Sequence, residues 1–163
     1  MRYFMYYQVK DIMSPDPVTL GPDTTLADAE AIFEEHNFDG IPIVDKDQRL
    51  IGVVTQRDLL KSVHELRKTK WLPTIARESC SEVMNEKPEI VHPETPLLTA
   101  LEKMVEIGCK SMPVIEHDHV KGIVAQKDIL TALRKSDLGI IPARLISPEL
   151  RGLLEPTSLE RAH

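Results

Sequence analysis

Gly52-Val53-Val54-Thr55-Gln56-Arg57-Asp58-Leu59-Leu60 decides how the rest of the chain is read. Val53 and Val54 are β-branched and apolar, as a covered strand requires. Thr55 can cap a helix that starts directly behind them, its hydroxyl accepting from an exposed N–H of the first turn. Asp58 then falls at the third helical position, where a carboxylate suits the helix dipole and completes a capping box. Capping alone accounts for the phrase, but the chain repeats it as Gly122-Ile123-Val124-Ala125-Gln126-Lys127-Asp128-Ile129-Leu130. Here Ala125 replaces Thr55 and the hydroxyl is lost, while Asp128 stays. A carboxylate kept without its capping partner points to a second role.

The repeat extends outward in both directions. At an offset of 71, Met13 pairs with Met84, Pro17 with Pro88, Pro22 with Pro93, Leu26 with Leu97, Ala29 with Ala100 and Pro42 with Pro113. One residue is lost near Arg49, and an offset of 70 then pairs Gly52 with Gly122, Val54 with Val124 and Asp58 with Asp128. Each copy predicts a helical turn ending in Met, a Pro-containing loop and a brief strand (Val18-Thr19-Leu20 or Glu89-Ile90-Val91). An amphipathic helix follows, with Leu26, Ala29, Ile32 and Phe33 on its apolar face in one copy and Leu97, Leu101, Met104 and Val105 in the other. These helices should end at Asn37 and Gly108, two residue types that tolerate a left-handed conformation. A hairpin comes next, then a closing helix, from Gln56 to about Val63 or from Gln126 to about Lys135. The organisation is therefore repeat one over 9–64, a linker over 65–79, repeat two over 80–135 and a tail over 136–163, the tail made of broken helical turns around Pro142, Pro148 and Pro156. In the linker, Trp71 is expected to anchor on the core or on a partner surface.

Composition narrows the function. The chain has 163 residues, 28% charged and 42% apolar, with a net charge of -6. That charge argues against broad nucleic-acid or membrane-surface binding. No apolar run approaches the roughly 18–20 residues of a membrane span, and a cytoplasmic setting is expected. Cys80 and Cys109 suit free thiols in a reducing compartment. His117 and His119 flank a hairpin tip, too few ligands for a metal site. No nucleophile elbow or Gly-rich phosphate loop is present, so no catalytic residue and no metal are assigned.

With these motifs in place, the sequence resembles a tandem pair of CBS domains, the cystathionine β-synthase-type repeats whose pair is called a Bateman module. The resemblance spans about residues 9–135. It implies an α/β (α+β) fold of two pseudo-twofold-related β-α-β-β-α repeats packed through their sheets. It also implies a regulatory module, not an enzyme, that binds adenine nucleotides or adenosyl ligands (AMP, ADP, ATP, S-adenosylmethionine) in clefts between the repeats. No cofactor is required; the nucleotide is a regulatory ligand.

Carried over residue by residue, the first cleft would join Thr55, Arg57 and Asp58 to Ile90, Lys110, Ser111, Met112 and Pro113. Asp58 would accept from the ribose hydroxyls, and Thr55, Arg57 and Lys110 would favour phosphate. The second, weaker cleft would join Lys127 and Asp128 to Val18, Asp39, Gly40, Ile41 and Pro42. Ala125 and Asp39 make that cleft poorer for phosphate, so it is expected to be empty or to take a ligand with an uncharged tail, such as adenosine. Phosphorylated ligands are therefore expected in the Thr55/Asp58 cleft. The resemblance further implies a disc-shaped homodimer and a protein target that receives the signal. The alternative is a ligand-free interaction protein that works through its dimer surface and tail.

Overall fold

The computed structural model describes residues 7–135. Helix α1 (Val9–Ile12) and the short strand β1 (Ser14–Pro15) come first. Helix α2 (Leu26–Glu35), strands β2 (Gly40–Val44) and β3 (Leu50–Thr55) and helix α3 (Gln56–Leu66) follow. Helix α4 (Leu72–Ala76) and a 3-10 turn (Cys80–Glu82) connect them to α5 (Leu97–Ile107), β4 (Ser111–Glu116), β5 (His119–Ala125) and α6 (Gln126–Lys135). The expected tail over 136–163 lies outside the described residues.

Both hairpins are antiparallel, and both carry an irregularity at the same place, Ile43/Val44 and Val114/Ile115. The tips differ. In the first, the Asp45 carboxylate accepts from the N–H of Asp47 (2.8 Å) and of Arg49 (3.0 Å). The Arg49 N–H does most to hold this carboxyl below its ordinary pKa. In the second, His117 and Asp118 take positive φ angles of 51° and 64°.

The expected strands before each long helix shrink to one residue apiece. Leu20 lies parallel to Ile43, and Val91 to Val114. Leu20 donates to the Pro42 carbonyl (3.0 Å) and accepts from Val44 (2.9 Å). The next bond back along this ladder would run to the Val18 carbonyl from the N–H of residue 42. Proline has none, so pairing stops there. Pro113 imposes the same stop on Glu89.

Three other expectations are corrected. Helix α2 does not end left-handed at Asn37. His36 leaves in extended conformation (φ -123°, ψ 144°), its ring stacked on Phe38 with centroids 4.8 Å apart. Only the second copy ends on a left-handed residue, Gly108 at φ 78°. On α5 the interior positions are Leu97, Ala100 and Met104, whereas Val105 falls at the rim and is 74% exposed. Trp71 is 76% exposed and does not anchor on the core; Ile75, one turn later in α4, does.

The halves exchange their first turns. One core gathers Leu26, Ala29, Phe33, Ile41, Ile43, Val54 and Leu59 together with Ile75 and Cys80 from the linker and the start of the second copy. The other gathers Val91, Leu97, Ala100, Met104, Met112, Val114, Val124 and Ile129 together with Val9 from the start of the first copy. Main-chain bonds fix the exchange. Val9 donates to the Thr95 carbonyl and Leu97 to the Tyr7 carbonyl, both at 2.9 Å, while Cys80 donates to Thr24 at 2.7 Å and Leu26 to Glu78 at 2.9 Å. Strand β1 then joins the opposite hairpin, Ser14 opposite Ile123 and Pro15 opposite Gly122, in a sheet ordered β1-β5-β4. In mirror fashion Asn85 pairs with Val53 beside β2-β3.

The recurrence of Met and Gly now has a physical reason. A Cβ on Gly52 would lie 2.5 Å from the Met84 sulfur and 2.9 Å from the Asn85 carbonyl oxygen; one on Gly122 would lie 2.7 Å from the Met13 sulfur and 2.8 Å from the Ser14 oxygen. Each copy's Met seats itself over the other half's bare glycine.

Candidate functional site

The ladder that Pro42 halts opens into a cavity of about 290 Å³. Pro17 and Val18 form one wall, and Phe38, Asp39 and Gly40 the other, with His36 and Asn37 at the rim. The opposite half supplies Ser111, Ile123, Ala125, Lys127 and Asp128, and β1 brings Ser14. The volume lies at the lower end of small-ligand pockets. Five apolar side chains, Pro17, Val18, Phe38, Ile123 and Ala125, share the lining with seven polar or charged ones. Among the described residues no hydrogen bond reaches the Val18 carbonyl, whose natural donor is a proline nitrogen.

Asp128 sits in the first turn of α6. Its Oδ2 accepts from the Ala125 N–H at 2.9 Å, which leaves the second oxygen for a ligand. This bond is the half of a capping box that needs no hydroxyl at position 125. Asp128 therefore keeps a structural task although Thr55 has become Ala125, and its retention does not by itself require a ligand. In the first copy the box is complete: Thr55 N–H donates to Asp58 Oδ2 (2.8 Å) and Asp58 N–H to Thr55 Oγ1 (3.1 Å).

The structure thus collects Val18, Asp39, Gly40, Lys127 and Asp128 around one cavity. Ile41 and Pro42 are buried behind its wall and contribute shape and the missing N–H. The other set is not gathered in the same way. Asp58 lines a cavity of about 310 Å³ with Lys61, Ser62, Glu65, Lys70, Glu78 and Glu82, and none of Ile90, Lys110, Met112 or Pro113 lines it. Carboxylates outnumber cations in this cavity, which Thr55, Arg57 and Lys110 do not line, and Lys70 is already paired with Glu78, so this particular cavity is an unfavourable setting for phosphate. Arg57 and Lys110 are exposed, and Met112 and Pro113 are buried. Ile90 is half-buried, and its carbonyl accepts from Lys103 Nζ at 3.1 Å. Ser111 lines the open cavity, on the other side from its expected set.

Ser14, Pro17, His36, Phe38 and Ile123 were not anticipated. Pro17 carried a signal, since it recurs as Pro88, and so did Phe38, one of 3 Phe in an aliphatic chain. So did Ile123, two residues before Ala125 on the same face of β5; Ser14 carried none, because only the exchange of β1 brings it to the cavity.

Two repeats with exchanged ends and a ligand-sized cleft at their seam define a paired-repeat module. The sequence profile of the CBS domain matches residues 9–65 and 80–135, and the chain belongs to the CBS-domain family. Among its relatives, the L-aspartate semialdehyde sulfurtransferase of Methanocaldococcus jannaschii is 30% identical over 122 residues, 74% of this chain. The chain spans only 22% of that enzyme's length. Among solved structures, CBSX2 in complex with AMP superposes with a TM-score of 0.68 at 27% identity, covering 77% of this chain and 95% of that one. The CBS domain pair of protein MJ0100, in complex with 5′-methylthioadenosine and S-adenosyl-L-methionine, gives 0.68 at 26% identity, covering 78% and 95%. No helix among the described residues is long and apolar enough to cross a membrane.

Proposed function

We propose that this chain is a regulatory module that binds an adenosyl ligand in the cavity between its halves and signals by a change in their packing. The observation that carries this reading is the cavity itself, whose walls come from both halves and which brings Asp128 and Val18 together. The purine packs against Pro17, Val18 and Phe38, and its exocyclic amine donates to the Val18 carbonyl. The free oxygen of Asp128 accepts from the ribose hydroxyls. The AMP of CBSX2 and the methylthioadenosine and S-adenosylmethionine of the MJ0100 pair support the ligand class.

Charge selects within that class. Asp39 and Asp128 face the site with Lys127 as the one cation among its described lining residues. A phosphate within about 4 Å of a carboxylate meets repulsion of at least about 1 kcal/mol. A neutral or cationic 5′ substituent, as in adenosine, 5′-methylthioadenosine or S-adenosylmethionine, is therefore favoured over AMP, ADP or ATP. Because the ligand touches both halves, it shifts their packing by as much as its affinity differs between the two arrangements. The proposal includes a homodimer, for which Leu60, Val63, Leu98 and Val105 offer exposed apolar surface on helices, and a protein target that reads the change.

Thermal melts with these six ligands test the reading. A favoured ligand at about 100 times its Kd should stabilise by about 2.7 kcal/mol, raising Tm by roughly 5–10 °C. Asp128→Asn keeps an acceptor for the Ala125 N–H but loses a carboxylate oxygen, and should weaken binding about tenfold or more. Asp58→Asn should leave the shift in place. A melt that no adenosyl ligand moves would favour the ligand-free interaction protein.

A further inference from the structure

We infer that Glu89 and Lys103 close the pseudo-twofold counterpart of the cavity, so that the pair takes one ligand per chain and not two. The inference rests on the adenosyl reading of the open cavity and adds the stoichiometry and the residues that set it.

The two clefts begin from the same sequence frame but differ at their base-binding wall. In the open cavity the wall is apolar Val18, and Ile32, one turn before His36, packs into its own core. The residues aligned with these in the repeat are Glu89 and Lys103. Lys103 Nζ donates to the Ile90 carbonyl at 3.1 Å and lies 3.9 Å from Glu89 Oε2. An ion pair tied to the main chain thus stands where the first cleft would present hydrocarbon to a purine. Covering it would strip water from two charges without offering them new partners. The stacked His36 and Phe38 also have no counterpart, since Ile107 and Cys109 occupy their places. The polar end of the same cleft is intact in type: Thr55, Arg57, Asp58 and Lys110 suit a ribose and a phosphate. The first cleft therefore has a sugar-phosphate end and lacks a base wall.

Giving it the wall of the other half tests this. Isothermal titration would compare the full chain with the double variant Glu89→Val/Lys103→Ile, using 5′-methylthioadenosine and AMP as probes. The expected result is one methylthioadenosine site per chain in the parent. The variant should gain a second saturable site that prefers AMP, and adding Asp58→Asn should weaken that new site about tenfold or more. Two sites in the parent, or a folded double variant without a new site, would overturn the inference. A parent that binds nothing beside a variant that binds one AMP, sensitive to Asp58→Asn, would uphold it while removing the Asp128 reading; no binding by either protein removes both. If the double variant fails to fold, Lys103→Met serves instead, since it frees the Ile90 carbonyl and keeps the side-chain length. A weaker AMP site is then expected, and its absence counts against the inference.

Discussion

Asp128 and Asp58 show how one residue type serves helix and ligand together. Each spends one oxygen on a main-chain N–H at the start of its helix, and what remains depends on the space beyond. Thr55 has a purely local task that can be measured. Thr55→Ala removes the acceptor of the Asp58 N–H and should cost about 1 kcal/mol in urea unfolding. Cys80 is a second residue-scale case. Burial in the first half's core, with Asp28 adding repulsion, raises its thiol pKa above the ordinary 9.0. Folding therefore favours the neutral thiol, and that contribution is full below about pH 9 and fades as pH rises through the folded value. Ellman's reagent at pH 8 should label Cys80 far more slowly in the native protein than in urea. Cys80→Ala should flatten the loss of stability above pH 9. Equal labelling rates would contradict the burial.

At the scale of elements, the two hairpins depend on what crosses them. Gly52→Ala and Gly122→Ala would each push a methyl into a main-chain oxygen as well as a Met sulfur, and the oxygen cannot swing aside. Each should destabilise by about 1–3 kcal/mol in a thermal or denaturant melt. Gly21→Ala, with nothing within 4 Å, is the control and should be neutral or slightly stabilising. Pro42 makes the opposite kind of contribution, since it stops a ladder and so opens the cleft. In Pro42→Val the new N–H can reach the Val18 carbonyl and draw the walls together. Stability should change by less than about 1 kcal/mol, because the added bond and the greater freedom of the unfolded chain nearly cancel. Affinity for the adenosyl ligand should fall about tenfold or more, because its amine loses that carbonyl. Unchanged affinity would mean that the ladder does not close.

For the molecule as a whole, the exchange of first turns means that the sequence repeat and the packing unit differ. The core around Phe33 draws its described residues from within 17–85, whereas the core around Met104 needs residues near Val9 as well as those beyond 88. A fragment spanning 17–85 should therefore show more helical circular dichroism and greater protease resistance than one spanning 9–65, which lacks Ile75 and Cys80. Small fragments of this size are marginal in any case, so the comparison between the two is the readout. Equal behaviour would count against the exchange as an organiser of stability.

The sequence by itself determined the twofold repeat, the order of helices and hairpins, the helix starts at Thr55 and Gln126, and the CBS likeness. These features depend on periodicity, capping and turn chemistry, which act over a few residues and leave a local trace. Only the tertiary structure decided that Ser14 and Asn85 join the opposite hairpins, that Val105 and Trp71 face outward, and that a cavity opens beside Asp128 while Asp58 faces carboxylates. Each of these depends on which distant segments pack together, and nearly identical local phrases around Asp58 and Asp128 meet different neighbours there. The missing N–H of Pro42 was written in the sequence, but its consequence became visible only when Val18 stood opposite it.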